Sequence, residues 1–517
     1  MNYILSLLGA WFGFANPIWH IPGLVLLFPL SLCLLGQQSL TWPQAIRKGW
    51  AAGWLAYAAS LYWIALPVHN YAPLPWILAI PCPLLVSIYL GLYPALFTLA
   101  AYWAGKKYSW FLAGIFLGLI WTCLEYIRNY FLTGFSWNCL TQAFSPWPTF
   151  IQLIGIVGAF SFSGILVTLV SWLVFGWPQK KALCLSILVA VGIWGYGYLQ
   201  IDLPMTTDAN FSASIIQGNI EQGVKWDPDY QNSTLKTYLE LSQKEVQQND
   251  PNYLFWPETA MPFYLQNMSP FREKIRNFCN QHSVYVFTGA PGYAYYKENE
   301  YKLYNRAYLF NPQGAIVDLY EKEHLVPFGE YVPLSNILPF LQKIVVGYSD
   351  FSTGTHIDPI RANNLDLGAL ICYEIIFPNL VNKRVNQGAN ILVNLSNDAW
   401  FGNSSAPKQH LHQAVLRAIE NNRFIVRTTN TGISAFIDPH GRILKQTSLF
   451  QKTTRNLKSI PLIEKKTYFS RHYFPIVIFV CVSTAIFILA SLLKKNVRSN
   501  SFILDNSKSI LTKLNRL

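Results

Sequence analysis

The chain has 517 residues, room for two or more domains, with 52% hydrophobic and only 13% charged residues, against roughly 25% charged in ordinary soluble domains. The deficit is uneven: residues 1–200 carry few charges and 202–470 read as an ordinary soluble domain, which excludes a wholly soluble protein and implies a membrane part joined to a folded one. The net charge of +13 does not indicate a nucleic-acid binder, because much of the basic excess sits in short clusters beside apolar runs and in the C-terminal tail, where it sets topology and can meet anionic lipid.

In chain order, apolar runs predict membrane helices near 3–16, 22–36, 50–67, 77–104, 110–131, 151–176 and 182–200, with an eighth near 474–493. The first two are short for a span of about 20 residues. A cleaved signal peptide is not expected, since the first run lacks a basic leader and apolar segments continue behind it. Arg47 and Lys48 follow the second segment, Lys106 and Lys107 the fourth, Lys180 and Lys181 the sixth, and Lys494, Lys495 and Arg498 the eighth. The alternate loops are nearly free of basic residues, Arg128 excepted. The positive-inside rule then predicts cytoplasmic termini and places 202–470 on the far side, the periplasm of a Gram-negative cell. Glu125 and Arg128, three apart at the end of the fifth segment, read as a buried ion pair holding the bundle or as a lipid-headgroup contact.

Between 202 and 470, strand-like runs at 211–218, 253–258, 284–291, 304–312, 366–374, 390–398, 424–432 and 434–439 alternate with amphipathic helices at 230–247, 270–281 and 407–422. That mixture predicts an α/β layered domain. Asn311–Gly314 and Asp438–Gly441 are hairpin-type turn signals. Of eight cysteines, Cys33, Cys82, Cys123, Cys139, Cys184 and Cys481 lie in or beside membrane segments, so no disulfide framework follows. His410 and His412 are two apart, wrong for one helix face, and are expected at a surface or a helix N-terminus rather than on a metal. With no phosphate-binding glycine loop either, no cofactor is expected.

Three segments carry chemistry. Cys372 ends an apolar run in LGALICYEIIFP, Glu258 ends one in FWPETAMP, and Lys322 stands in YEKEHLVPFGEYVP. A carboxylate, an amine and a thiol at strand ends are what a base, an oxyanion clamp and a nucleophile require. In order and local context these segments resemble the nitrilase, or carbon–nitrogen hydrolase, superfamily. With the membrane segments added, residues 1 to about 495 resemble the apolipoprotein N-acyltransferase family, most specifically at HLVPFGEYVP (324–333), ICYEIIFP (371–378) and NLSNDAWFG (394–402).

The resemblance implies an α-β-β-α sandwich beside a polytopic helical membrane domain, with boundaries at 1–201, 202–470, 471–495 and a basic tail 496–517. It implies Cys372 as nucleophile, Glu258 as general base, Lys322 as oxyanion stabiliser and Glu330 as a supporting carboxylate. Asn305 would sit near the oxyanion, Trp226 would contact substrate, Tyr373 and Glu374 would shape the pocket or orient an amine, and Trp400 and Phe401 would form a pocket wall or loop. The implied reaction takes an acyl chain from a membrane phospholipid and delivers it to a diacylglyceryl apolipoprotein, with the chain acting as a monomer. Loops 333–356 and 399–408 are candidate lids dipping into lipid, with Phe340 and Leu341 at the contact. The residues alone also admit a membrane-tethered amidase, in which water resolves the same thioester, or a transporter or scaffold carrying a relic domain. The intact Glu-Lys-Cys set argues against the last.

Overall fold

The computed structural model describes residues 1–72, 74–203, 210–223, 225–297, 300–332 and 351–493. Most of the first candidate lid, with Phe340 and Leu341, and the tail with Lys494, Lys495 and Arg498 lie outside the described residues.

The apolar runs form helices at Asn2–Gly13, Leu27–Gln37, Trp42–Ser60, Ala65–Tyr71, a broken run from Trp76 to Lys107, Trp110–Tyr130, Ala159–Gly176, Lys180–Ile201 and Tyr473–Leu493. Among the described residues five are long and apolar enough to cross a membrane, and a sixth counts if Trp42–Ser60 and Tyr62–Tyr71, bent by 59°, form one span. This is fewer than the eight expected. At about 1.5 Å per residue, Asn2–Gly13 covers only about 18 Å of a roughly 30 Å hydrocarbon core. The run expected from 151 to 176 breaks at Gly158, where φ is +80° and an added Cβ would lie 2.2 Å from the Phe469 ring. Trp110–Tyr130 and Ala159–Gly176 close on each other through Gly118 and Gly164, each of whose missing Cβ would meet the other's carbonyl at 2.5 Å.

Glu125 and Arg128 are both buried and act on each other electrostatically, and each is also anchored by neighbouring groups. Glu125 accepts from the Trp121 indole (2.9 Å) and the Leu140 amide (3.0 Å), while Arg128 donates to the Tyr57 hydroxyl and the Asn138 carbonyl. Burial keeps Arg128 from lipid headgroups.

The second part is a sandwich of two six-stranded sheets. One contains β1 (Asn210–Gln217), β2 (Tyr253–Phe255), β3 (Tyr285–Lys297), β4 (Glu300–Phe310), β5 (Ile316–Glu321) and β12 (Thr453–Pro461), in the order β12-β1-β2-β3-β4-β5. The other contains β6 (Ile360–Ala362), β7 (Leu365–Ile371), β8 (Ile391–Ser396), β9 (Ile425–Thr429), β10 (Ala435–Ile437) and β11 (Ile443–Gln446), in the order β11-β10-β9-β8-β7-β6. β1–β2–β3 and β7–β8–β9 pair in parallel. Ile215, Phe255, Phe287 and Tyr320 from the first sheet pack with Leu367, Ile371, Val393 and Val426 from the second. Helices Gln231–Asn249 and Pro270–His282 cover the first sheet, and Pro378–Asn386 and Ala406–Asn421 the second. The expected four layers are present.

Helix Ala406–Asn421 is shared by sandwich and bundle and is buried at every position except Lys408. A buried helix bearing Gln, His, Arg and Glu must satisfy each of them. Gln409 Oε1 accepts both the Trp63 and Trp137 indoles (3.1 and 2.8 Å), and its Nε2 donates to the Ala15 carbonyl (2.9 Å). Glu420 Oε1 accepts from the Ala159 amide (2.7 Å) at the first turn of a membrane helix, where a carboxylate is favoured, and Glu420 pairs with Arg417 at 2.7 Å. His410 and His412 lie on this helix with 0% and 5% exposure, so their expected surface position is not observed. The helix has no solvent face on which to put them.

Replacing Glu420 by Leu strands the buried Arg417 and the Ala159 N–H, and is expected to cost about 3–5 kcal/mol. The check is thermal unfolding in detergent, with part of the loss recovered in the Arg417→Met/Glu420→Leu double variant.

Candidate active site

β2, β5 and β7 end at one rim of the sandwich, and each end delivers one polar group. Glu258 lies just beyond β2, Lys322 directly follows β5, and Cys372 directly follows β7. Lys322 Nζ lies 2.9 and 2.8 Å from the two Glu330 carboxylate oxygens and 3.9 Å from Glu258 Oε1. Asn305, on β4, bridges the two carboxylates, donating from Nδ2 to Glu258 Oε1 (2.8 Å) and Glu330 Oε1 (3.1 Å). Glu330 Oε2 is fixed by the Val326 amide at 2.8 Å. The second oxygen of Glu258, Oε2, is buried and has no hydrogen-bond partner among the described residues.

Cys372 is 8% exposed and adopts φ +53°, a left-handed conformation costly for a residue with a Cβ. Its carbonyl accepts from His410 Nε2 (3.1 Å) and Asn394 Nδ2 (3.4 Å). Burial pushes the thiol up, Glu258 adds to the rise and Lys322 opposes it, so the resting sulfur is a thiol. Burial also raises the Glu258 carboxyl, with Lys322 pulling it back and Glu330 adding to the rise. Burial alone would lower the Lys322 ammonium, but Glu330 and Glu258 outweigh it and hold the cation charged. The arrangement offers a neutral nucleophile, a carboxylate with raised proton affinity and a fixed cation.

Five of the anticipated residues thus meet: Glu258, Lys322, Cys372, Glu330 and Asn305. Tyr373 is beside them, its hydroxyl donating to the Gly134 carbonyl of the bundle (3.2 Å) and its ring against Phe377. Glu374 lies two residues beyond Cys372. It is wholly buried, with Oε1 accepting from the Tyr320 hydroxyl (2.8 Å) and the Glu323 and His324 amides (2.7 and 3.0 Å), and Oε2 from the Ile371 amide (2.6 Å). These bonds occupy the carboxylate, which stitches the segment after Lys322 to the strand end before Cys372. Trp226 is half-buried in the loop before helix Gln231–Asn249. Trp400 packs on Tyr71 of the bundle (4.7 Å), and Phe401 on Trp63 and Trp137 (5.1 and 6.1 Å), so 399–401 is a packed seam rather than a lid.

Two features went unseen in the sequence. Asp398 accepts from Arg427 Nη2 (2.8 Å) and Ser396 Oγ (2.8 Å) and faces His410 Nδ1 (3.1 Å), all buried, while Arg427 also grips Asn394. Lys225 is 1% exposed against the backbone of Glu258. A basic residue in a polar loop gives no signal of burial. Among the described residues no group of three His, Cys, Asp or Glu side chains is placed to hold a metal ion.

A carbon-nitrogen hydrolase family model matches residues 212–457, and an apolipoprotein N-acyltransferase N-terminal domain model matches 8–173. An apolipoprotein N-acyltransferase of Geobacter metallireducens is 37% identical over 464 residues, covering 86% of this chain and 87% of the relative. One from Rickettsia prowazekii is 32% identical over 445 residues (84% and 86%), and one from Pseudomonas syringae pv. tomato is 30% identical over 484 (92% and 94%).

Burial pushes the Asp398 carboxyl up, but Arg427 and His410 outweigh it and hold the group well below the usual carboxylate range. The folded state therefore binds fewer protons here than the unfolded chain, so the stabilisation is complete above about pH 4 and is lost as pH falls below it. Asp398→Asn should lower the thermal midpoint at neutral pH and flatten its fall on acidification, as read by unfolding in detergent between about pH 3 and 7.

Proposed function

The chain belongs to the apolipoprotein N-acyltransferase family, and from that premise we propose that it moves an acyl chain from a membrane phospholipid to the N-terminal amine of an S-diacylglyceryl-cysteine apolipoprotein through a Cys372 thioester. The observation that carries the mechanism is Glu258 Oε2, a buried acceptor without a partner among the described residues, set among the charges that act on a neutral thiol.

In the first half-reaction Glu258 takes the thiol proton as Cys372 Sγ attacks the sn-1 ester carbonyl. The tetrahedral oxyanion is met by the Lys322 ammonium and the Tyr373 backbone N–H. On collapse the lysophospholipid oxygen leaves with the proton from Glu258, and the acyl group stays on sulfur. In the second half the acceptor's α-amine attacks the thioester carbonyl, Glu258 takes the amine proton, and the amide forms as Cys372 leaves and is reprotonated. Glu330 and Asn305 hold Lys322 and Glu258 in register, and Trp226 lies in the loop expected to contact substrate. The order is ping-pong because one thiol serves both halves.

The clustering of Arg47, Lys48, Lys106, Lys107, Lys180 and Lys181 supports a multi-pass protein of a Gram-negative inner membrane. In this reading 1–201 is the membrane domain, 202–470 the periplasmic catalytic domain, 471–495 a last crossing helix and 496–517 a cytoplasmic tail, and both termini are cytoplasmic. One chain supplies every site residue, in keeping with a monomer.

Intact mass spectrometry after incubation with phospholipid is the test. Wild type should gain a hydroxylamine-labile acyl adduct and Cys372→Ala none. Absence of the adduct, under conditions where a simple amide is hydrolysed, would replace this reading by a tethered amidase.

A further inference from the structure

One buried cation has no part in the reaction as written. Lys225 is 1% exposed, and its Nζ donates to the Glu258 backbone carbonyl (3.2 Å) and to Thr259 Oγ1 (2.6 Å). Both acceptors are uncharged, and an ammonium removed from water is costly unless an opposite charge is near. The charge that acts on it is the Glu258 carboxylate. Burial brings the Lys225 ammonium down to about 8, with Glu258 working against the fall.

The backbone it grips is constrained from the other side as well. Thr259 has φ +45°, rare for a β-branched residue. Gly289, on β3, presses so closely that an added Cβ would lie 2.5 Å from the Thr259 nitrogen and 2.7 Å from the Glu258 Cα. The turn carrying Glu258 is therefore clamped between β3 and the Lys225 amine. Such a clamp fixes where the carboxylate can point, and Oε2 is the atom left open. The amine also belongs to the loop that continues into Trp226, so that loop is tied to the turn bearing Glu258.

We propose that Lys225 is a positioning residue for the general base: its amine holds the Glu258–Thr259 turn so that Oε2 stays open for the proton, and its positive charge keeps the base ionised. The charged and titratable groups acting on Glu258 are then Lys322 and Lys225, which favour its ionised form, and Glu330, which opposes it, with the Cys372 thiol as proton donor. The proposal rests on Glu258 being the base.

The test follows acyl-thioester formation against pH in the full chain, in detergent with phospholipid, for wild type, Lys225→Met, Lys225→Gln, Lys225→Arg and Glu258→Gln. Because Lys225 favours the ionised carboxylate, its loss should move the acidic limb of the rate profile to higher pH. The rate at neutral pH should fall about 10- to 100-fold, with KM for phospholipid changed less than about twofold. Lys225→Arg should restore the limb. Lys225→Gln keeps hydrogen-bond donors and loses the charge, so its limb should move even if Lys225→Met fails to fold. An unmoved limb in Lys225→Gln, or a rise in KM alone, overturns the proposal while Glu258→Gln is inactive. An active Glu258→Gln would instead remove the base assignment on which it rests.

Discussion

A cysteine at φ +53° at the end of a buried strand has to be held from outside that strand, and the hydrogen bond from His410 to the Cys372 carbonyl does this. A carbonyl can only accept, so Nε2 carries the proton. Burial, with Arg427 beside it, holds the imidazole below its ordinary value. Nδ1 faces both Asp398 Oδ1 (3.1 Å) and Arg427 Nη2 (3.0 Å), and Arg427 in turn fixes Asp398 and Asn394, the second donor to the same carbonyl. The Cys372 backbone is set by a closed polar network on the outer face of the second sheet. Every member is buried, and such networks are rigid only when fully partnered.

Charge is conserved in the proton transfer that the site is proposed to make. Glu258 begins as an anion beside a neutral thiol and ends as a neutral acid beside a thiolate. Lys322 acts on both partners, so the negative charge moves within the field of one cation. Burial raises the proton affinity of both groups, which keeps the thiol intact at rest and the carboxylate ready to receive its proton. The salt bridge to Glu330 holds the ammonium in place while this happens, and in a low-dielectric pocket a fixed cation acts more strongly on a developing oxyanion than it would in water.

The groups proposed to react were legible because each ends a recognisable run: YLFWPE reaches Glu258, and DLGALIC reaches Cys372. Their supports were not, because the partners are remote in sequence. Trp63 and Gln409 are 346 positions apart, and nothing in a helix spaced like 407–422 announces that its polar side faces protein. The same blindness left His410 and His412 assigned to a surface or a helix N-terminus, when both are buried. Several strands were missed for local reasons. β11 is exposed throughout and shows no inside–outside alternation, and β6 has only three residues. The structural part of Glu374 was equally hidden: it receives two amides on one side and a strand-end amide on the other, from segments about 50 positions apart.

A sandwich working alone in water would turn the outer face of Ala406–Asn421 to solvent. Here that face is bonded into the bundle through Gln409, Gln413 and Glu420, and the Trp137 ring lies 5.3 Å from His410. Tyr373, next to the nucleophile, bonds to Gly134, whose φ of +88° and contact with Asn129 exclude a side chain. The helix that pins Cys372 is therefore itself pinned by membrane helices, and the residue following Cys372 is tied to a bundle turn. Displacing the bundle would free the His410 side of the elbow and the Tyr373 side together. The membrane part is thus a structural layer of the candidate active site, and the geometry of the thiol is set as much by packing among apolar helices as by the strand that carries it.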